Sequence, residues 1–187
     1  MDNKFEIQLL SWSPEYSEDI MEVYRLLKDQ EKKIFDLSFY DGLGDEPIMA
    51  YVEDMVTNDL VFIVKDNEAE KVAGVFMLED CRPYKDIVLY ARVHCVICKK
   101  YWGKGSRDIC NSFLEYLKAN TKILRLIAEV PQNAYSLIKI LKSVGFTHEG
   151  TVKRTVVYLD KNGNEKLYDE MLYGLDLGGI DGTRIFK

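Results

Sequence analysis

No stretch of this sequence approaches the roughly 18 consecutive apolar residues that a membrane-spanning helix requires. Residues Met1 to Glu6 lack a cationic region leading into an apolar run, so no signal peptide is expected. Basic charge is in short supply: 25 Lys and Arg stand against 31 Asp and Glu, a formal net charge of -6. Such a chain is a poor generic binder of nucleic acid, whose affinity rests on neutralising phosphates. Histidine is scarcer still, with only His94 and His148. Of the four cysteines, Cys95 and Cys98 have C-x-x-C spacing, but no second pair completes a zinc site, and no metal is expected. Buried thiols in a reducing cytoplasm are the favoured reading. Repeats, linkers and low-complexity segments are also missing. What remains is ordinary: 187 residues, 47% apolar and 30% charged, enough for one domain with a sizeable core.

The charge is spread unevenly. Residues 1–60 carry 15 acidic and 5 basic side chains, against 16 and 20 in the remaining 127. Residues 99–107 read Lys-Lys-Tyr-Trp-Gly-Lys-Gly-Ser-Arg, with four cations and no acid.

Hydrophobic periodicity predicts a mixed α/β domain over residues 1–177. Phe5, Ile7 and Leu9 alternate with polar residues as a short strand. Ser13-Pro14 opens a helix, Ser as its N-cap, with Ile20, Val23, Tyr24 and Leu27 as the apolar stripe. A loop over 40–45 leads to a second helix near Glu46-Pro47, with Ala50 and Met55 on its buried face. Strands are expected at 60–65, 71–79 and 87–98, with a turn from Asp66 to Glu70. After the basic island, a helix carries Ile109, Phe113 and Leu117 at i, i+4 and i+8, and 123–130 is a further strand. Residues 134–144 form a helix with Leu137, Leu141 and Val144 on one face, ended by Gly145. Strand-like segments 151–159 and 166–175 flank Lys161-Asn162-Gly163-Asn164, a strong hairpin signal. Residues 178–187 read as a tail.

Strand, Gly-x-Gly, then helix is an arrangement suited to an anion. Glycines let the backbone approach a ligand, Ser106 is placed to cap the helix, and a helix start favours phosphate. Lys99, Lys100, Lys104 and Arg107 add long-range attraction. A Walker A loop is not present, and the third glycine of a dinucleotide fingerprint is replaced by Asp108. From the island alone, a solvated turn with a few lysines stands equally open.

Longer spacing adds to this. Ile97-Cys98-Lys99 ends a strand where a V-x-P would stand, and Tyr101 supplies an aromatic. Trp102-Gly103-Lys104-Gly105-Ser106-Arg107 follows the form [RQ]-G-x-G-x-[GA]. Glu129-Val130 ends the next strand, and Val144-Gly145-Phe146 closes the next helix. In this order the residues from Ile87 to Phe146 resemble the acetyl-coenzyme A motif of the GNAT superfamily of N-acetyltransferases. Asp169 and Tyr173 before Leu175, with Glu149-Gly150-Thr151-Val152-Lys153-Arg154, are similar to its ribosomal-protein N-terminal (Rim-type) branch. His94 and the Tyr-Trp-Gly turn are also similar to acetyltransferases of tailed bacteriophages. The chain departs from the family at Trp102, at Arg107, at Ala134 where many relatives have Asn, and at Leu141 where many have a Tyr that protonates the leaving thiolate.

The resemblance implies a central mixed, mostly antiparallel sheet of about six or seven strands flanked by about four helices. It implies acetyl-CoA as co-substrate, held by Cys95, Val96 and Ile97 at the strand end and by Trp102, Gly103, Lys104, Gly105, Ser106 and Arg107 in the loop. Asn133 stands in for the missing Asn, and backbone N–H groups near Ile97 would polarise the thioester carbonyl. Glu129 is the implied catalytic base, directly or through water; His94 is the alternative base or a packing residue. The partner is a cationic amine, a protein N-terminus, a lysine or a small molecule, in keeping with the acidic first third. A homodimer is compatible with all of this. The alternative reading is a GNAT-like module that binds CoA or another protein without catalysis, which Ala134 and Leu141 motivate; a different acyl donor is the third.

Overall fold

The computed structural model describes residues 4–34, 45–159 and 164–178. In chain order the elements are β1 (Phe5–Leu9), α1 (Ser17–Ile34), α2 (Asp45–Asn58), β2 (Leu60–Asp66), β3 (Lys71–Tyr84) and β4 (Ile87–Ile97). They continue as α3 (Lys104–Asn120), β5 (Arg125–Pro131), α4 (Tyr135–Ser143), β6 (Thr147–Leu159) and β7 (Glu165–Asp176). Short 3-10 turns lie at Pro14–Tyr16 and Lys99–Tyr101. The strands form one seven-stranded sheet in the order β1-β2-β3-β4-β5-β7-β6, parallel at β4–β5 and antiparallel elsewhere. This is the mixed, mostly antiparallel sheet with four helices that the sequence leads one to expect.

Burial explains the layering. Every residue of β3 from Val72 to Leu78 other than Gly74 is a buried apolar side chain, the signature of a strand covered on both faces. On one face the α3 stripe Ile109, Phe113 and Leu117 packs on Phe62, Phe76 and Leu126. The Phe76 and Phe113 rings stack with centroids 4.0 Å apart. On the other face Val23 and Leu27 of α1, with Ile48, Val52 and Met55 of α2, cover Ile63, Val75 and Met77. Each such side chain contributes about 1.5–3 kcal/mol by leaving water.

The structure departs from the sequence reading in several places, and β6 starts at Thr147 rather than at 151. Ala50 is exposed: Ile48, Val52, Met55 and Val56 define the buried face of α2, and Ala50 sits about 200° around the helix from Ile48. Ser13 holds the N-cap position, but its hydroxyl donates to the Glu15 carboxylate at 3.3 Å and regular α-helix begins only at Ser17. β3 continues to Tyr84 through an irregularity after Glu79. Ile123 makes an isolated bridge to Val88, and β5 proper starts at Arg125. Gly145 does end α4, at a φ of 105°, and the Phe146 N–H bonds the Leu141 carbonyl at 3.0 Å. The loop expected at 40–45 (up to Gly44), the Lys161–Gly163 turn and the tail beyond Gly178 lie outside the described residues.

Candidate active site

β4 and β5 pair at Ala91↔Leu126 and Arg92↔Ile127 and then part. Beyond that point β4 keeps its ladder with β3 as far as Ile97, while its other edge has no β5 partner. The Cys98 N–H bonds the Ala73 carbonyl at 2.9 Å. Alternation along the strand then aims the Cys95 and Ile97 N–H groups at the open edge. Two parallel strands that separate in mid-sheet leave a cleft walled by peptide groups, with which an extended ligand can pair. At its end the Ile97 carbonyl already accepts the Gln30 amide and the Trp102 indole N–H, each at 3.0 Å.

α3 begins directly behind this edge. Gly103 is its N-cap with a φ of 90°, a conformation that favours glycine. The first-turn N–H groups of Lys104, Gly105 and Ser106 have no acceptor inside the helix, and with the dipole they favour an anion. Tyr101 fixes the loop. Its hydroxyl donates to Asp66 at 2.5 Å, its carbonyl accepts the Ser106 hydroxyl at 3.1 Å, and a Cβ on Gly105 would meet the Tyr101 Cβ at 3.2 Å. Ser106 is therefore not the cap: the helix starts two residues earlier, and its buried hydroxyl turns back into the protein.

The cations of the island divide. Lys99 pairs with Asp29 of α1 at 2.7 Å and Lys100 lies 4.5 Å from the Tyr101 ring centroid, while Lys104 and Arg107 are exposed. Trp102 is 51% exposed beside the helix start. Asn133 lies in the turn before α4, half-buried, with its carbonyl accepting the Tyr135 N–H at 2.9 Å. Leu141 is buried in the core beneath α4. Of the two tyrosines near the site, Tyr135 is exposed, whereas Tyr173 is fully buried with no hydrogen-bond partner for its hydroxyl among the described residues.

The α1–α2 face of the parting strands is polar. Arg92 and His94 alternate with apolar neighbours on β4, and Glu129 projects from β5. The Arg92 guanidinium reaches Glu129 at 3.4 Å and Asp80 at 3.1 Å. His94 Nε2 lies 3.2 Å from Glu79 Oε2. The β3 irregularity, with Asp80 at a φ of 46°, turns two consecutive carboxylates toward this one face. His94 Nε2 is enclosed and its N–H axis misses the carboxylate, so the contact is an ion-pair approach rather than a linear hydrogen bond. Burial alone would depress the imidazole pKa, but Glu79 outweighs it and the net shift is upward. Conversely, His94 holds the Glu79 carboxyl below its ordinary value. Burial raises Asp59 and Glu170, reinforced by like charge from Glu79 and Glu129 respectively.

A family model described as an acetyltransferase (GNAT) domain matches residues 45–172. The chain belongs to the GNAT acetyltransferases. Solved structures share this GNAT fold over nearly the whole chain. Spermidine N-acetyltransferase from Vibrio cholerae, in complex with CoA and spermine, superposes with a TM-score of 0.70 at 16% identity, covering 94% of this chain and 97% of that one. A GNAT-family acetyltransferase from Streptococcus pneumoniae gives 0.65 at 20% identity, over 93% and 99%. Ribosomal-protein-S5-alanine acetyltransferase from Vibrio fischeri gives 0.63 at 18% identity, over 94% of each. Among curated proteins nothing matches the sequence. No described helix of this GNAT protein is long and apolar enough to cross a membrane.

The fold thus brings the sequence-selected Cys95, Val96, Ile97, Trp102, Gly103, Lys104, Gly105 and Arg107 to one strand end and helix start. It sets His94 and Glu129 on the two strands that part, and Asn133 in the turn after β5. Glu79, Asp80 and Arg92 escaped the sequence reading. Their one visible signal was charge inside otherwise apolar strand runs.

Proposed function

We propose that this protein transfers the acetyl group of acetyl-CoA to a cationic primary amine by direct attack on the thioester, as a single domain over residues 1–177 working in the cytoplasm. The observation that carries this reading is the open β4 edge running straight into the glycine start of α3. The peptide edge suits the pantetheine arm as an added strand, and the helix start with Lys104 and Arg107 suits the pyrophosphate. In this reading the Ile97 and Cys95 N–H groups donate to the thioester carbonyl as charge develops on it. Glu129 on β5 and His94 on β4 are the two candidate bases for the amine proton. A lysine ε-amine has an unperturbed pKa of about 10.4 and an α-amine of about 8, so each is largely protonated near neutral pH.

Acidic groups on the same face, Asp59, Glu79, Asp80 and Glu170, support an acceptor that carries positive charge. Spermine, bound with CoA in the Vibrio cholerae spermidine N-acetyltransferase, carries such charge, and the Vibrio fischeri neighbour is an acetyltransferase named for an alanine of ribosomal protein S5. The Rim-like hairpin favours an α-amine within that class. Acetyl-CoA turnover against spermidine, a lysine peptide and a free-α-amine peptide tests the reading; saturable acetylation of at least one is expected, and none with any amine would overturn it.

A second reading rests on Leu141. The residue at the usual thiolate-protonating position is an apolar side chain packed in the core, which favours a CoA-binding module without turnover. Calorimetric binding of acetyl-CoA together with no acetylation would select it.

A further inference from the structure

We propose that His94 and Glu79 act as a catalytic dyad, in which the neutral His94 takes the proton from the amine and Glu79 positions the imidazole and stabilises the imidazolium that forms, while Arg92 withdraws Glu129 from that role. The inference rests on the acetyl-transfer reading and names how that site handles the proton.

Position comes first. His94 is two residues past Arg92, where β4 last pairs with β5, so it is the first residue on the α1–α2 face of the opened edge. One and three residues further along the strand stand Cys95 and Ile97, whose N–H groups face the cleft. Glu129 stands opposite, but its carboxylate lies 3.4 Å from the Arg92 guanidinium, which also meets Asp80 at 3.1 Å. Arg92 thereby ties both flanking acids to the floor of the parting strands. Glu79 is different: at 3.2 Å it faces His94 Nε2, and a base with a carboxylate orienting it is the ordinary architecture of an activated proton acceptor.

Charge agrees with position. The groups acting on the imidazole are Glu79 from β3, Arg92 and, from the other face, Cys95 of β4, Asp59 after α2 and Glu170 from β7. Glu79 dominates over the cationic Arg92 and over burial. Because Nε2 is enclosed against Glu79, Nδ1 is the nitrogen left to receive a proton.

The step balances without any further reactant. The acceptor enters as R–NH3+ and gives one proton to His94. Its freed lone pair attacks the thioester carbonyl, the C–N bond forms and the C–S bond breaks. The departing thiolate takes the second N–H proton, and one stays on the amide. His94 then returns its proton to solvent, to which the half-exposed ring has access.

The test is the pH dependence of kcat/KM from pH 5 to 9.5 with acetyl-CoA and spermidine, the lysine peptide or the α-amine peptide, whichever turns over fastest. Wild type, H94Q, E79Q and E129Q are compared, with acetyl-CoA binding by calorimetry as the control for folding. General acid–base catalysis is worth about 10²–10⁴-fold, so H94Q is expected to lose at least about 100-fold and more than E129Q, with acetyl-CoA binding retained. In E79Q the acidic inflection moves to lower pH, because the main influence opposing burial and Arg92 at His94 is then gone. An imidazole NMR titration of His94 shifts the same way, which a merely structural role for Glu79 would not produce. Equal rates in H94Q and wild type, or a larger loss in E129Q, overturn the dyad and leave acetyl transfer standing. No turnover by wild type with any amine overturns both.

Discussion

The Tyr101 hydroxyl donates to Asp66 at 2.5 Å from a residue 35 positions later in the chain, joining the loop before α3 to the far end of β2. Asp66 is fully engaged: its other carboxylate oxygen accepts the Glu68 and Ala69 N–H groups at 3.0 and 3.2 Å. Tyr101 in turn receives the Ser106 hydroxyl on its carbonyl and packs against Gly105. The start of α3 is thus located by a side chain rooted in the sheet, rather than by the lysines around it. An anion site made of backbone N–H groups needs such a fixture, since its donors are worth most when they do not have to be reorganised.

Removing the hydroxyl in Tyr101→Phe keeps the ring and its edge contact with Phe5 but leaves Asp66 without that donor. The expected result is a several-fold rise in the KM for acetyl-CoA with kcat nearly unchanged, alongside a lower urea midpoint. A fall in stability with an unchanged KM would show that the pair supports the fold alone.

The same pair sets an acid limit. The Tyr101 hydrogen bond, with those of Ala69 and Glu68, holds the Asp66 carboxyl below its ordinary value against the opposing effect of burial. A depressed folded pKa contributes stability that is complete above the unfolded value of about 3.9 and is lost as pH falls through the folded one. Melting temperatures of wild type and Asp66→Asn should therefore lie furthest apart near pH 7 and converge toward pH 3. A gap that stays constant with pH would exclude this linkage.

Local pattern announced the elements, and distance in sequence hid the relations among them. The α3 stripe, the Gly145 stop and the apolar run of β3 each follow from spacing within a dozen residues, and each is where periodicity puts it. The glycine start of α3 was legible for the same reason, because Gly103 and Gly105 sit between a strand and a helix that both declare themselves. Ser106 misled because a serine near a helix start reads as a cap, and only the position of Tyr101 shows its hydroxyl pointing backward. Glu79 and Arg92 were missed because their meaning is relational. Glu79 meets His94 across an antiparallel register 15 residues apart, and Arg92 meets Glu129 across a parallel one. No periodicity along one strand encodes which carboxylate is opposite which base.

Gly103 is the position at which the loop tolerates no side chain conformationally, although nothing lies within 4 Å of a Cβ built there. Gly103→Ala therefore tests backbone strain without steric collision. Holding a non-glycine residue at that φ costs about 1–3 kcal/mol, which the loop avoids by moving the first N–H groups of α3. Calorimetry should show acetyl-CoA binding weakened about tenfold, the equivalent of about 1.4 kcal/mol. Unchanged affinity would mean that the α3 start does not hold the pyrophosphate.

Leu141 offers the sharpest separation between a displaced and a missing proton donor. Its side chain is buried, in the same core cluster as Phe113, Leu117 and Phe146. Installing the family's usual residue by Leu141→Tyr adds a ring and a hydroxyl to a filled space, at a cost of about 1–3 kcal/mol from overpacking. Urea denaturation should register that loss, and kcat with acetyl-CoA should not rise. A coenzyme A thiolate is a fairly good leaving group, so wild-type turnover does not require the donor. A variant that is faster than wild type at every pH would instead mean that position 141 faces the sulfur, and that its apolar side chain is what limits the enzyme.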